Sequence, residues 1–179
     1  MREAVSGNIR NEKLFMIERA FKTLVLGVGN KLMSDEGVGV HVVERLAEKY
    51  KLPQEIQVLD GGTLGLDLLY YLEGVENLLI VDAAETGKEA GTMVRLQDEE
   101  VPAFMSIKIS PHQIGVPDML AAAKMKDIYP KRLVLWGIQP DEITLSLDLS
   151  PVLASKVDDL TGKLVDELRA WGYELLPLP

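Results

Sequence analysis

The chain has 179 residues, 47% of them hydrophobic and only 6% aromatic, so it can bury an aliphatic core within one domain without cross-links. Its formal net charge of −9 argues against a nucleic-acid or anionic-membrane surface, and the lack of cysteine excludes disulfides, thiol nucleophiles and Cys-ligated zinc. The apolar runs are strand-sized and the N-terminus is polar, so we expect a cytoplasmic protein without membrane insertion.

The chain alternates between short apolar runs and segments with helical periodicity. We predict strands for TLVLGVG from Thr23, IQVLD at 56–60, NLLIVDA at 77–83, GTMVRLQ at 91–97 and RLVLWGI at 132–138. We predict helices within 37–50, 61–74 and 111–126, and a long closing helix over 151–171. This order predicts a three-layer α/β sandwich, with a mostly parallel five-stranded sheet between helices.

Residues 22–179 are predicted to form a single domain, and residues 1–21 an N-terminal extension of unknown role. Ser34 or Asp35 is expected to cap the first helix, because each stands just before its apolar stripe. The closing helix is expected to bury one side, which consists of Val152, Leu153, Val157, Leu160, Leu164, Val165 and Leu168. His41 lies off the stripe of the first helix, so we expect a solvated residue there.

Polar segments follow four of the predicted strands. They are GNKLMSDEG, DGGT, Asp82 at the end of LLIVD, and KISPHQIG. Ligands of open α/β sheets bind at the carboxyl ends of the strands, so we expect these segments to converge on one edge.

Glu36, Asp82 and His112 come from three of these segments. Two carboxylates and one imidazole suit a divalent ion such as zinc, nickel or manganese, and three protein ligands leave positions open for water or a substrate atom. Each residue also has an ordinary structural interpretation. His112 suits a loop, Asp82 a helix or turn cap, and Glu36 the positive N-terminus of the next helix.

Other site motifs are weaker. GVGN followed by Asp60 imitates a dinucleotide-binding fingerprint, but Leu32 occupies the third glycine position and Asp60 comes later than the usual acid. The sequence contains no GxxxxGK[ST], HExxH or GxSxG, the defining patterns of P-loop NTPases, zincins and serine hydrolases.

Several ordered blocks agree with one known family. They are LVLGVGNKLMSDEGVGVHVVERL, VLDGGTLGLDLL, LLIVDA, GTMVRL with DEEVPAF, and KISPHQIG with RLVLWGIQP. In these blocks the chain resembles the hydrogenase maturation proteases, endopeptidases specific for nickel–iron hydrogenase large subunits. The resemblance extends from about Thr23 to Trp171.

The resemblance implies a twisted five-stranded sheet and a metal-binding set made of Glu36, Asp82 and His112. The acid block is Asp35-Glu36-Gly37, where the family often has Asp-Asp-Gly. The implied substrate is a nickel-loaded large-subunit precursor that loses its C-terminal extension. The divalent metal is then nickel supplied by the substrate, and zinc or cadmium can replace it in a crystal.

The family is often classed as aspartic-type, although this sequence has no paired DTG-like elements. Asp35 and Asp60 are candidate assisting carboxylates, and both are also good turn or capping residues. Gly61, Gly62 and Thr63 form a candidate substrate-binding segment, because glycine lets a peptide backbone approach closely. The alternative for the glycines is a turn that requires positive φ.

Three other functions stay open at this point. They are a general metallopeptidase acting on short peptides, a nickel-dependent chaperone that docks on the large subunit without cutting it, and a dinucleotide-binding module. The acidic balance predicts electrostatic docking to a basic tail or surface of the precursor, with a cleavage rate that depends on salt.

Overall fold

A computed structural model of the protein describes residues 21–105 and 115–179. The main sheet within these ranges contains β1 (Thr23–Val28), β3 (Ile56–Gly62), β4 (Asn77–Ala83), β5 (Met93–Gln97) and β6 (Arg132–Ile138). Two short strands, β2 (Tyr50–Lys51) and β7 (Leu176–Pro177), form a separate antiparallel pair. The order in the main sheet is β3-β1-β4-β6-β5, and only the edge strand β5 is antiparallel to its neighbour.

The described helices are α1 (Val38–Lys49), α2 (Leu69–Leu72), α3 (Glu100–Met105), α4 (Val116–Met125), α5 (Pro151–Ala154) and α6 (Val157–Ala170). Short 3-10 turns at Ser34–Gly37 and Gly65–Leu68 precede α1 and α2. Within the described ranges, no helix is long and apolar enough to cross a bilayer.

The central strands are buried on both faces, which explains their continuous apolar sequences. In β1 and β4 the residues Leu24–Leu26 and Leu78–Val81 are fully buried. Alternate residues belong to two core layers, one shared with α1 and α6 and the other with α2, α3 and α4. The predicted three-layer α/β architecture is therefore confirmed.

The strand predictions are confirmed, with small changes at the ends: β3 continues to Gly62 and β5 begins at Met93. The single closing helix is wrong, because the chain forms α5 and α6 with a break at 155–156. Ser155 donates its hydroxyl to the carbonyl of Val152 at 2.7 Å, which competes with a continuous backbone ladder. Val152 is also not part of the buried side, since it is 36% exposed.

The expected cap of α1 is wrong as well. Gly37 stands at the N-cap position, and no side chain caps the helix there. Ser34 and Asp35 lie within the preceding 3-10 turn, where their side chains bind a distant loop.

Candidate active site

The loop after β1 brings Glu36 to the carboxyl edge of the sheet. A Cβ on Gly29, whose φ is +121°, would lie 1.7 Å from the carbonyl oxygen of Glu36, so the loop closes tightly on itself. A Cβ on Gly39 would lie 2.2 Å from the carbonyl oxygen of Val81 and 2.4 Å from that of Val28. The start of α1 therefore sits directly against the ends of β1 and β4, and half-buried Glu36 lies at that edge.

Asp82 occupies the penultimate position of β4, at the same edge. It is half-buried and lies level with Gly137 of β6. Because side chains alternate along a strand, Asp82 shares the face of Leu78 and Ile80, which belong to the core layer of α4. Asp82 is therefore directed to the α4 side of the sheet.

The N-terminus of α4 approaches this edge too. At the other end of the helix, Lys124 Nζ lies 3.2 Å from Glu99 Oε1, and Glu99 follows the end of β5 at the amino edge of the sheet. The helix spans about 15 Å and also packs against the 3-10 turn at Gly65–Leu68, which follows the carboxyl end of β3, so Gly115 at its start lies toward the carboxyl edge. The chain thus enters α4 on the side of Asp82, three residues after His112 in the sequence.

Only part of the predicted metal-binding set belongs to the described residues. Glu36 and Asp82 lie at one edge, whereas His112 lies outside the described residues. Within 21–105 and 115–179, no three carboxylate or imidazole side chains gather closely enough to hold an ion. The donor types fit a divalent ion, and the complete Glu36/Asp82/His112 set stays a prediction.

Asp35, the first candidate assisting carboxylate, is fully buried. Its Oδ2 accepts hydrogen bonds from the backbone N–H groups of Asp141 at 2.9 Å and Glu142 at 3.1 Å. Its Oδ1 accepts the backbone N–H of Ser150 at 2.7 Å. Both oxygens are thus engaged by the loop that follows β6, an arrangement that fixes the loop in place.

Ser34 holds the same loop beside Asp35. Its hydroxyl donates to the carbonyl of Glu142 at 3.0 Å and accepts the N–H of Thr144 at 2.9 Å. Its backbone N–H also donates to Ser146 O at 2.8 Å. Ser34 has φ +43°, an unusual conformation for a residue other than glycine, and these bonds offset its cost.

Asp60, the second candidate assisting carboxylate, is exposed near the end of β3. It lies level with Gly27 of β1, which is in turn level with Val81 of β4. Two strand spacings therefore separate Asp60 from Asp82, roughly 10 Å between the backbones. Water and a peptide can reach the Asp60 carboxylate, in contrast to that of Asp35.

The two glycines after Asp60 have structural reasons to be glycine. The register between β1 and β3 shifts here, so that Gly61 forms a bulge; a Cβ on it would lie 2.6 Å from Leu26 Cδ1. Gly62 has φ +43° and its carbonyl accepts the N–H of Gly29 at 3.1 Å. Thr63 is exposed. Substrate binding by this segment stays a prediction.

His41 differs from its prediction as a solvated residue. It is half-buried, and its Nε2 is buried without a hydrogen-bond partner. Lys31 of the preceding loop reaches back to α1 and donates to both carboxylate oxygens of Glu44 at 2.8 Å, one turn beyond His41. Burial and the nearby Lys31 charge lower the pKa of His41, partly opposed by Glu44 and Asp148.

Gln139 is a structural contributor that the sequence did not single out. It is buried directly after β6, and its Oε1 accepts the N–H groups of Thr86 at 2.6 Å and Gly87 at 3.1 Å. Its Nε2 donates to Glu85 Oε2 at 3.1 Å. Gln139 therefore holds the segment that follows Asp82. The only sequence signal was a polar residue between an apolar strand and Pro140.

The described parts define a three-layer α/β protein with acidic residues at the carboxyl edge of its sheet. Residues 40–167 match the family described as hydrogenase maturation protease. The hydrogenase expression/formation protein HupD of Rhodobacter capsulatus is 46% identical over 156 residues, which cover 86% of this chain and 74% of that protein. The hydrogenase 2 maturation protease of Escherichia coli K12 is 41% identical over 157 residues, which cover 87% of this chain and 96% of that protein.

A solved structure agrees with the sequence relatives. The hydrogenase maturating endopeptidase HybD from E. coli superposes with a TM-score of 0.83 at 40% identity, covering 88% of this chain and 98% of that chain. The chain therefore belongs to the hydrogenase maturation protease family and is a peptidase. The family resemblance predicted from the sequence is confirmed.

Proposed function

We propose that this protein is the endopeptidase that removes the C-terminal extension from a nickel-loaded precursor of a nickel–iron hydrogenase large subunit. Membership of the family supports the reaction class. The observation that supports the site is that Glu36 and Asp82 both lie at the carboxyl edge of the sheet, toward which α4 begins. Open α/β sheets bind their ligands at this edge.

In this proposal Glu36, Asp82 and His112 bind the nickel that the precursor already carries. Three side chains leave coordination positions that only the ligands of a loaded precursor complete. A precursor without nickel lacks this interaction and binds more weakly, so cleavage follows metal insertion. The metal is thus part of the substrate.

The chemical step needs a water activated next to the scissile peptide bond. Nickel in the substrate supplies Lewis-acid polarisation of the carbonyl. Asp60 accepts a proton from the attacking water while the water oxygen bonds to the carbonyl carbon. The Asp60 carboxyl then returns a proton to the peptide nitrogen as the C–N bond breaks. We assign this role to Asp60 because its carboxylate is exposed, while Asp35 is buried and engaged by three backbone amides.

The test is the intact mass of a large-subunit precursor, with and without nickel, after incubation with this protein. We expect loss of a C-terminal peptide from the nickel-loaded form alone. Glu36→Ala, Asp82→Ala and His112→Ala are each expected to abolish this loss, and Asp60→Asn to slow the cut while retaining nickel-dependent binding. Glu48→Ala, at an exposed position on α1, is the matched control and should cleave normally.

Binding gives a second readout that does not depend on turnover. Size-exclusion chromatography should show a complex of the Asp60→Asn variant with loaded precursor and none with the nickel-free form. Unchanged cleavage by Glu36→Ala or His112→Ala would remove the nickel-recognition part of the proposal. A stoichiometric complex of the unsubstituted protein without any mass change would indicate a chaperone, and rapid turnover of short peptides a general metallopeptidase.

A further inference from the structure

Four large apolar side chains lie exposed on two neighbouring loops at the carboxyl edge. We call them the apolar loop patch: Leu32 (57% exposed), Ile143 (47%), Leu145 (85%) and Leu147 (65%). The two loops are joined by backbone bonds, because Ser146 donates to Leu32 O at 3.0 Å and Ser34 donates to Ser146 O at 2.8 Å. Contiguous exposed apolar groups of this kind mark interaction sites more often than scattered single residues do.

The patch is held by buried anchors. The Asp35 carboxylate accepts the N–H groups of Asp141, Glu142 and Ser150, at the two ends of the loop that carries Ile143 to Leu147. The Ser34 hydroxyl binds the middle of the same loop. A preformed surface loses little conformational entropy when a partner binds.

The patch is continuous with the candidate site. The loop that contains Leu145 follows β6, whose end lies level with Ala83 next to Asp82. Its anchor Asp35 is the residue before Glu36. A protein bound on the patch therefore extends toward the edge where Glu36 and Asp82 lie.

The charge around the patch selects among partners. Asp141, Glu142 and Asp148 are exposed on the same loop, and the whole chain carries a net charge of −9. A second copy of this chain would bring identical carboxylates together, and an anionic lipid surface would be repelled in the same way. A protein with apolar residues inside a basic rim is the complementary partner.

We propose that the apolar loop patch is the docking surface for the large-subunit precursor, and that the precursor contributes an apolar contact surrounded by Lys and Arg. This inference rests on the proposed function, since it takes the substrate to be a folded protein. Because the patch lies beside the candidate site and contains none of its residues, the choice of precursor is separate from the cleavage of its tail.

The test replaces Leu145 or Leu147 by Gln, which is of similar size but carries an amide that must lose water on docking. Each variant is expected to raise the KM for the nickel-loaded precursor about ten-fold or more, with kcat changed less than two-fold. The matched control is Met125→Gln, at an 89% exposed apolar position at the end of α4. It should leave KM unchanged, and the melting temperatures of all three variants should equal that of the unsubstituted protein.

The charged rim is tested by the double variant Asp141→Asn/Glu142→Gln, which keeps both backbone bonds to Asp35. We expect a higher KM at low salt and a weaker dependence of KM on salt. A KM unaffected by the leucine variants, while the unsubstituted protein cleaves, would overturn the docking surface alone. Failure of the unsubstituted protein to cleave any cognate precursor would instead overturn the proposed function. Sedimentation that shows a dimer dispersed by Leu145→Gln, with unchanged KM, would assign the patch to a second copy of this chain.

Discussion

Replacing Asp35 by Ala should destabilise the protein strongly although it removes a single side chain. Its carboxylate is fully buried and accepts three backbone N–H groups. The hydrogen bond from the Ser150 N–H is buried, so its loss leaves an unsatisfied donor, which costs roughly 1–3 kcal/mol. The amides of Asp141 and Glu142 belong to exposed residues and regain water, so each loss costs about 0.5–1.5 kcal/mol. Together these losses amount to about 4 kcal/mol.

The assay is thermal unfolding followed by circular dichroism. For a chain of this length, about 4 kcal/mol lowers the melting temperature by roughly 8–16 °C. Asp60→Ala is the matched control, because it removes an exposed carboxylate at the same edge and should stay within about 0.5 kcal/mol of the unsubstituted protein. A melting temperature of Asp35→Ala within 2 °C of the unsubstituted protein would refute the reasoning. Normal stability with loss of cleavage would return Asp35 to the list of assisting carboxylates.

Two further predictions concern packing and pH. Gly39→Ala should lower the free energy of unfolding, measured by chemical denaturation, by about 3 kcal/mol, since its Cβ would lie 2.2 Å from the carbonyl oxygen of Val81. In Gly162→Ala, within α6, the added Cβ meets nothing within 4 Å, so this variant should be more stable by about 0.5–1 kcal/mol. Hydrogen bonding to Arg95, 2.8 Å away at both oxygens, lowers the pKa of Glu167 below its ordinary value of 4.5. A depressed carboxylate pKa stabilises the fold above the unfolded-state value, and this stability is lost as pH falls through the folded-state value. Glu167→Gln should therefore lower the free energy of unfolding by about 1 kcal/mol at pH 7, a modest loss because solvent screens the partly exposed Arg95. Below pH 4.5 this loss should become progressively smaller.

The strands could be predicted from the sequence because the information for them is local. Continuous apolar runs such as those of β4 and β6 have no polar face, so only a strand covered on both sides accommodates them. The shared edge of Glu36 and Asp82 could be predicted as well, because the two residues lie near the carboxyl ends of two parallel strands. The antiparallel direction of β5 was not predictable in this way, because its pairing partner is separated from it by α3 and α4.

The tripeptide Ser34-Asp35-Glu36 shows where local information ends. Its residue types and its place before a helix suit capping, and sequence spacing offered no other partner for Ser34 or Asp35. Their partners lie between 106 and 115 residues further along the chain, in a loop that is polar at every second position. Only the parallel pairing of β1, β4 and β6 brings that loop to the same edge. The three consecutive side chains therefore have different roles. Ser34 and Asp35 hold the loop that presents the apolar patch, and the Glu36 carboxylate is the one left available to a ligand.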